Sequence, residues 1–379
     1  MKHHLTNSPV NMNTKKTDIF KSEIGQANIL ILGCGGAGNN TVDRLMKIGI
    51  RGARCIAINT DRQHLESVHA HFKLLIGSNL TRGLGAGGRP EIGRQAAEES
   101  RPELEKILLE SDLVFITCGM GGGTGTGSAP IIAQIAKNQG AIVVGVITMP
   151  FQAEMKRVSR AKDGVNALKN YVDTLVLIDN NRLLEIAADL PITEAFSLAD
   201  EVLATMVKGI TETISLPSLI NLDYADIRTI LSSAGMAIVG IGEGDDPRHR
   251  VEEAIEDALN SPLLDFDISG AKGALIHVSG GNDLTLVETT RVADLITERM
   301  DPNAQVIWGA RVDPNLTGIL RVMLLITGVK SPQMLGNSKI SFIKPEFAQQ
   351  LDTQRPSLAD DFFNINEIRS INEENLNLY

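Results

Sequence analysis

The sequence predicts an α/β protein in which a parallel sheet is joined by a long central helix to a smaller α+β domain. Three observations carry this. Over the first half, short apolar runs alternate with amphipathic helical patterns, as in a sheet with crossover helices. Glycine-rich runs follow several of those strands. One helical pattern, Thr193–Ser215, carries apolar residues around more than one face (Leu198, Val202, Leu203, Met206, Val207, Ile210 and Ile214 among them), which marks a helix buried between two layers.

Taken in order, residues 1–26 are polar, rich in Asn, Thr, Lys and His, and read as a disordered N-terminal arm. Strands are expected at Asn28–Leu32, Arg54–Ile58, Leu74–Ile76, Asp112–Cys118, Ala141–Met149 and Thr174–Ile178, each a short apolar run followed by a helical pattern or a glycine loop. Together they make an α/β domain over residues 27–192. The central helix spans 193–216 and should be about 30 Å long. Thr193 suits its N-cap and Pro217 its stop. Further strands are expected at Ala234–Ile241, Ala274–Val278, Val306–Val312 and Leu320–Val329, with helices near Val251–Leu259 and Leu284–Arg299, giving an α+β domain over 217–330. Residues 331–379 read as a flexible tail with one short apolar segment, Phe362–Ile368.

The chain of 379 residues is long enough for two domains and a large core. Its net charge of −10 argues against a protein that binds nucleic acid by neutralising phosphates. No apolar stretch is long enough to span a bilayer, so direct membrane insertion is not expected, and the N-terminus has no signal-peptide pattern. Cys34, Cys55 and Cys118 sit in or beside strand-like runs and read as buried reduced thiols of a cytoplasmic protein.

The strongest chemical signal is Gly121-Gly122-Gly123-Thr124-Gly125-Thr126-Gly127, directly behind a strand and before a helix expected from Ser128. Such a loop offers backbone N–H groups without a steric wall and ends on a positive helix N-terminus, the physics of a phosphate cradle. No lysine follows it, so this is not the Walker A pattern, and part of the phosphate charge is left to a metal ion. A second loop, Gly33-Cys34-Gly35-Gly36-Ala37-Gly38-Asn39-Asn40, satisfies G-x-G-x-x-G and opens a helix. With Asp61 near the place of a ribose-binding acid, it admits a Rossmann-type NAD enzyme. A dehydrogenase has no need of the other loop, however, and no histidine or lysine stands out for hydride chemistry. Two phosphate loops on one sheet edge better suit a nucleoside di- or triphosphate. A third cluster, Gly83–Gly93, ends in Pro90-Glu91, another helix start that phosphate can approach. Asn221, Asp223 and Asp226 could orient a water or support a metal-bound phosphate oxygen, but spacing alone favours a solvated capping turn. His64, His69 and His71 fit no standard metal-ligand spacing, Trp308 reads as core, and Lys156, Arg157 and Arg160 read as a basic helix face.

The segments GCGGAGNN, NTD, GLGAGGRPEIG, GGGTGTG, MPF and NLDYAD, in this order and at these separations, resemble FtsZ, the tubulin-like cell-division GTPase family, from about Asn28 to Val329. The Gly33-Cys34-Gly35 variant and the diverged tail suggest an archaeal-type member. The resemblance implies a tubulin-like fold with a Rossmann-like GTPase domain, and GTP/GDP with Mg²⁺ as ligands. Gly36, Ala37, Gly38, Asn39 and Asn40 would hold phosphate, as would Gly121, Gly122, Gly123, Thr124, Gly125 and Thr126, with Gly85, Ala86 and Gly87 near the γ-phosphate. Glu154 would face the ribose, and Arg157 would lie close to the nucleotide. Asp200 would accept from guanine N1–H and the N2 amino group, a donor pair adenine lacks, with Phe196 packing on the base. Here Glu154-Met155-Lys156-Arg157 stands where the family has Glu-Gly-x-x-Arg: the glycine is missing and the segment is one residue short.

The resemblance also implies a mechanism. The central helix carries Asp223 and Asp226 far from their own nucleotide, so they act on the next molecule's phosphates in a head-to-tail polymer, a contact that does not close. Asn221, Asp223 and Asp226 would then be the catalytic residues, and assembly would complete the site. The implied setting is cytoplasmic, at the mid-cell division site, with a membrane-tethering adaptor on the C-terminal tail, although the usual hydrophobic-basic peptide is not evident there. A non-hydrolysing GTP-binding filament or regulatory protein, and the NAD enzyme, remain as alternatives.

Overall fold

A computed structural model describes residues 27–182, 191–215, 224–232, 235–260, 268 and 270–329, except the side chains of residues 192, 193, 195, 196, 198, 199 and 202. The expected arm, the expected tail, Asn221, Asp223 and Pro217 lie outside the described residues.

The first half alternates strands and helices: β1 (Ile29–Cys34), α1 (Gly35–Lys47), β2 (Ala53–Asn59), α2 (Arg62–Ser67), β3 (Phe72–Leu75), α3 (Ser78–Thr81), α4 (Pro90–Glu99), α5 (Arg101–Leu108), β4 (Leu113–Gly119), α6 (Thr124–Asn138), β5 (Ile142–Met149), α7 (Lys156–Lys169) and β6 (Thr174–Asp179). The long helix α8 (Ile192–Ser215) and the short α9 (Tyr224–Leu231) follow. Then come β7 (Gly235–Gly244), α10 (Arg250–Asn260), β8 (Gly273–Gly280), α11 (Leu286–Thr297), β9 (Gln305–Val312) and β10 (Leu320–Thr327).

Local chemistry explains several boundaries. Pro90 stands in the first turn of α4, where its missing N–H costs nothing, with Glu91 beside it at the positive end. α11 opens on a reciprocal cap in which the Thr285 hydroxyl accepts from the Glu288 N–H and the Glu288 carboxylate accepts from the Thr285 N–H. β1 is buried at every position, and β4 at all but its last, as expected of strands covered on both faces.

All ten strands form one sheet, in the order β3-β2-β1-β4-β5-β6-β7-β10-β8-β9. The strands from β3 to β7 are parallel, β10 is antiparallel to both β7 and β8, and β9 runs parallel to β8. The two halves expected from the sequence thus share a sheet. Their seam is narrow: β6 and β7 register only from Thr174↔Gly235 to Val176↔Ala237.

Strand order reverses between β1 and β4, which creates the crevice at the C-terminal strand ends where open α/β sheets bind ligands. α4, α5, α6 and α7 cover one face through Ala96, Leu104, Ile132 and Val165. On the other face, α1, α8 and α9 supply Val42, Leu45, Met206, Ile210 and Ile227, in a core that reaches Leu275 and Met323 in the second half. α8 is therefore packed on both halves, as its apolar faces required. A third core joins α10 and α11 to the last strands, and Trp308 packs half-buried against it.

Candidate functional site

Two stretches expected to be loops are mostly helix. β1 passes directly into α1 at Gly35, so Gly35–Asn40 form the first turns of that helix. Thr124–Gly127 likewise form the first turn of α6, four residues before the expected start. Both helices begin without a side-chain cap and without an acidic residue in the first turn. Two positive N-termini with unclaimed backbone donors therefore sit side by side at the reversal in strand order, where Cys34 of β1 is in register with Cys118 of β4.

Close backbone approach builds this edge. At Gly38 a Cβ would fall 2.2 Å from the Thr117 carbonyl, and at Gly121, with φ +93°, it would fall 2.6 Å from the Arg157 carbonyl. The third cluster folds onto the second: a Cβ on Gly123 would meet the Ala86 Cβ at 2.8 Å, and Gly85 N–H donates to the Thr60 carbonyl at 3.1 Å. By contrast, a Cβ on Gly36, Gly87 or Gly122 would meet nothing within 4 Å. These three glycines, one from each cluster, border open space of the kind a phosphate chain would fill. Ala37 and Asn40 are exposed beside Gly36.

The threonines of the second cluster brace it. Thr126 is buried and its hydroxyl accepts from the Gly121 N–H at 2.9 Å, while the Thr124 hydroxyl pairs with Thr60 at 2.6 Å. Gly125 is buried against β1 and β4. Within Gly121–Thr126, Gly122 is the position that opens outward.

On the α8 side, Asp200 receives the Thr41 hydroxyl of α1 at 3.5 Å, and Arg44 pairs with the adjacent Glu201 at 2.5 Å. Burial pushes Asp200 up to about 7; the Thr41 hydroxyl and Arg44 oppose this, and the charge of Asp43 adds to it. A half-buried carboxylate with so little local compensation suits a ligand that brings its own donors. Asn39 is fully buried; its Oδ1 accepts from the Ile58 N–H at 3.2 Å, but its Nδ2 has no partner. Asn180, just past β6 at the same sheet edge, also has an unpartnered buried Oδ1. It was missed from sequence because Asp179-Asn180-Asn181 reads as an ordinary turn. Phe196 lies on α8 one turn before Asp200, with its side chain outside the description.

Glu154 and Arg157 pair with each other, and Glu154 Oε1 also accepts from the Phe151 N–H at 3.1 Å. The backbone of Arg157 abuts Gly121, which brings the first turn of α7 against the cradle. Arg160 donates to the Gly88 carbonyl of the third cluster. Asp61 is engaged as the N-cap of α2, accepting from the His64 N–H at 3.1 Å. His64 and His69 hydrogen-bond to Asn40 and Asp43, and His71 Nδ1 accepts from the Cys55 N–H. Among the described residues no cluster of three or more His, Cys, Asp or Glu could hold a metal. All three cysteines are buried and free.

Asp226, in the first turn of α9, is exposed and lies elsewhere. Tyr224 Oη donates to the Asp112 carbonyl at 2.9 Å, and Thr174 Oγ1 donates to the Leu231 carbonyl at 2.6 Å. Asp112 directly precedes β4 and Thr174 opens β6, so α9 crosses the N-terminal strand edge. The cradle is at the opposite edge, about 20 Å away along the seven residues of β4.

Known proteins are similar to this chain over most of its length. The sequence profile of the Tubulin/FtsZ family, GTPase domain, matches residues 28–188, and that of the FtsZ family, C-terminal domain, matches 235–330. The chain is 55% identical over 337 residues to "Cell division protein FtsZ 2" of Methanocaldococcus jannaschii, covering 88% of this chain and 89% of the relative. It is 50% identical over 338 residues to the protein of the same name from Halobacterium salinarum, covering 89% and 84%. Among solved structures, it is similar to "FtsZ dimer, empty (M. jannaschii)" with a TM-score of 0.77 and 53% identity, over 80% of this chain and 88% of that one. Among the described residues no helix is long and apolar enough to cross a membrane.

Proposed function

This chain belongs to the FtsZ branch of the tubulin/FtsZ family, polymerising cytoskeletal GTPases of cell division, and from that premise we propose how its residues divide the work. It binds GTP and GDP and hydrolyses GTP, and it self-associates; the dehydrogenase and non-hydrolysing readings lapse.

Gly36–Asn40, Gly85–Gly87 and Gly121–Thr126 form the phosphate site, with the open glycines bordering the phosphates and the threonines bracing them. Asp200, ionised, accepts from guanine N1–H and the N2 amino group. Phe196 packs on the base, Glu154 faces the ribose, and Arg157 stays close to the nucleotide. Mg²⁺ carried in with the nucleotide would supply neutralisation of the phosphate charge that the lysine-free loop leaves uncompensated.

Asn221, Asp223 and Asp226 polarise the attacking water at the nucleotide of the next subunit. The observation that carries this reading is the separation of α9 from the cradle by the length of β4. A head-to-tail contact brings one edge of the sheet onto the other and repeats without closing. The units that serve it are the GTPase domain (27–192), the central helix (193–216), the C-terminal domain (217–330) and, beyond it, the tail (331–379), through which a membrane-tethering adaptor engages cytoplasmic filaments at the mid-cell division site.

Phosphate release from GTP, measured against protein concentration alongside light scattering, tests this. Release that rises above a threshold, and is abolished in Asp223→Ala while GTP binding survives, supports the shared site. Release per subunit that is independent of concentration overturns it.

A further inference from the structure

The helix that carries Asp226 is fastened at both ends by side-chain hydroxyls. At its start, Tyr224 Oη donates to the Asp112 carbonyl at 2.9 Å; at its end, the Leu231 carbonyl accepts from Thr174 Oγ1 at 2.6 Å. Between them, Ile227, Ile230 and Leu231 are buried, while Ala225, Asp226, Arg228 and Thr229 are exposed.

The anchor at Asp112 is rigid. Its carbonyl also accepts from the Ile142 N–H at 2.9 Å, its N–H donates to the Asn28 carbonyl at 3.0 Å, and its carboxylate accepts from the Asn28 N–H at 2.7 Å. Asn28 Nδ2 in turn donates to the Glu110 carbonyl at 2.8 Å. The entries of β1, β4 and β5 are thus one hydrogen-bonded unit, and Tyr224 attaches α9 to it. Burial, with Asp112 nearby, holds the phenol up at about 12, so it remains a donor throughout the neutral range.

We propose that Tyr224 is a positioning residue for GTP hydrolysis at the neighbouring subunit's nucleotide, its hydroxyl fixing the start of α9 and hence the aim of Asp226. The inference rests on the interfacial reading above. Ring burial alone seats α9 through a non-directional contact, whereas the hydroxyl fixes both the tilt of the ring and the helix start. Attack geometry is steeply sensitive to such placement, with displacements of about 1 Å changing rates by up to about 10²-fold. Assembly depends on a wide surface and is far less sensitive.

The test is Tyr224→Phe in the full chain, which keeps the ring and removes only the donor. Three readouts are needed: affinity for a fluorescent GDP, assembly with a slowly hydrolysed GTP analogue, and turnover per assembled subunit at saturating GTP. The expected result is a fall in kcat of about three- to tenfold with unchanged KM, GDP affinity and assembly, and a thermal midpoint within about 2 °C of the parent. Thr174→Val, at the far end of α9, should instead lower the midpoint more than it lowers turnover. Unchanged turnover in Tyr224→Phe overturns the proposal, as does a loss matched by equal losses of assembly and midpoint, which would make the bond merely structural. If the parent's own turnover per subunit is independent of concentration, the interfacial reading fails first, and that is seen before any variant is compared.

Discussion

Arg44 of α1 meets Glu201 of α8 at 2.5 Å, next to Asp200, which receives the Thr41 hydroxyl of the same helix. Further along, Lys208 donates to the Ile48 carbonyl at 3.0 Å and Ser215 to the Gly52 carbonyl at 3.2 Å. α8 is thus tied along its length to the segment that begins at the cradle. The ties hold Asp200 on α8 at a fixed place relative to the first turns of α1, the two regions proposed to meet the base and the phosphates.

If Asp200 reads guanine as proposed, nucleotide binding should depend on pH. Burial pushes the Asp200 carboxyl up to about 7, and only the ionised form can accept from both guanine donors. Protons therefore compete with the nucleotide below that value. GTP affinity should rise about tenfold between pH 6 and pH 8 and then level off, measured by titration calorimetry with one proton released per nucleotide at the lower pH. Equal affinities at the two pH values would remove Asp200 from base recognition.

The same carboxylate weakens the empty fold. Its folded value, about 7, lies above the ordinary 3.8, so the folded state holds the proton more tightly than the unfolded chain between those limits. Stability from this group declines as pH rises from about 4 to 7, and the full penalty applies above 7. Asp200→Asn should raise the thermal midpoint of the nucleotide-free protein by a few degrees at pH 8, about 1–2 kcal/mol, and not at pH 4, while GTP binding drops by about 10²-fold. Calorimetric unfolding at the two pH values checks the sign.

Gly36 and Gly38 are neighbours with opposite requirements. A Cβ on Gly36 meets nothing within 4 Å, whereas one on Gly38 would lie 2.2 Å from the Thr117 carbonyl. Gly36→Ala should therefore fold with stability equal to the parent or up to about 1 kcal/mol higher, and bind GTP at least about tenfold more weakly. Gly38→Ala should lose about 3 kcal/mol or more of stability. Urea unfolding and nucleotide titration of both variants separate the two roles.

Arg250 holds the second half together. Its guanidinium grips Glu288 through Nε–Oε1 at 2.6 Å and Nη2–Oε2 at 2.9 Å, and Asp283 through Nη1 at 2.5 Å, with the arginine side chain only 10% exposed. Both carboxylates are held below their ordinary values, chiefly by their hydrogen bonds to Arg250. Arg250→Ala should cost about 2–3 kcal/mol by urea unfolding at pH 7. Because both carboxylates are held below their ordinary values, this stabilisation is present above the ordinary carboxylate range and is lost as pH falls through that range to the lower folded values. The difference between parent and variant should therefore narrow on acidification.

The strands were legible because each is a short apolar run, and α8 because its apolar residues cover more than one face. The helical state of Thr124–Gly127 was not. Glycine and threonine oppose helix in isolation, and what stabilises this turn is packing against α4, where a Cβ on Gly127 would lie 2.0 Å from the Pro90 carbonyl. The joining of β7 to β6 was also hidden, since neither strand's own sequence names its neighbour. At the site, the three glycine clusters could be read as phosphate loops. The bracing hydroxyls of Thr124 and Thr126 and the orphaned oxygen of Asn180 depend on tertiary neighbours that no local pattern encodes.

The contrast between closed and open glycines has a genetic side. Where backbone crowds the missing side chain, as at Gly38, Gly121 and Gly123, a substitution removes the folded subunit, and such an allele is expected to be recessive because nothing enters the filament. At Gly36 and Gly122, where a Cβ meets nothing and the backbone is not left-handed, the subunit persists, and its α9 can still be offered to a neighbour while its own cradle is disabled. Alleles there are expected to poison mixed filaments and to behave as dominant in cells that also carry the parental copy.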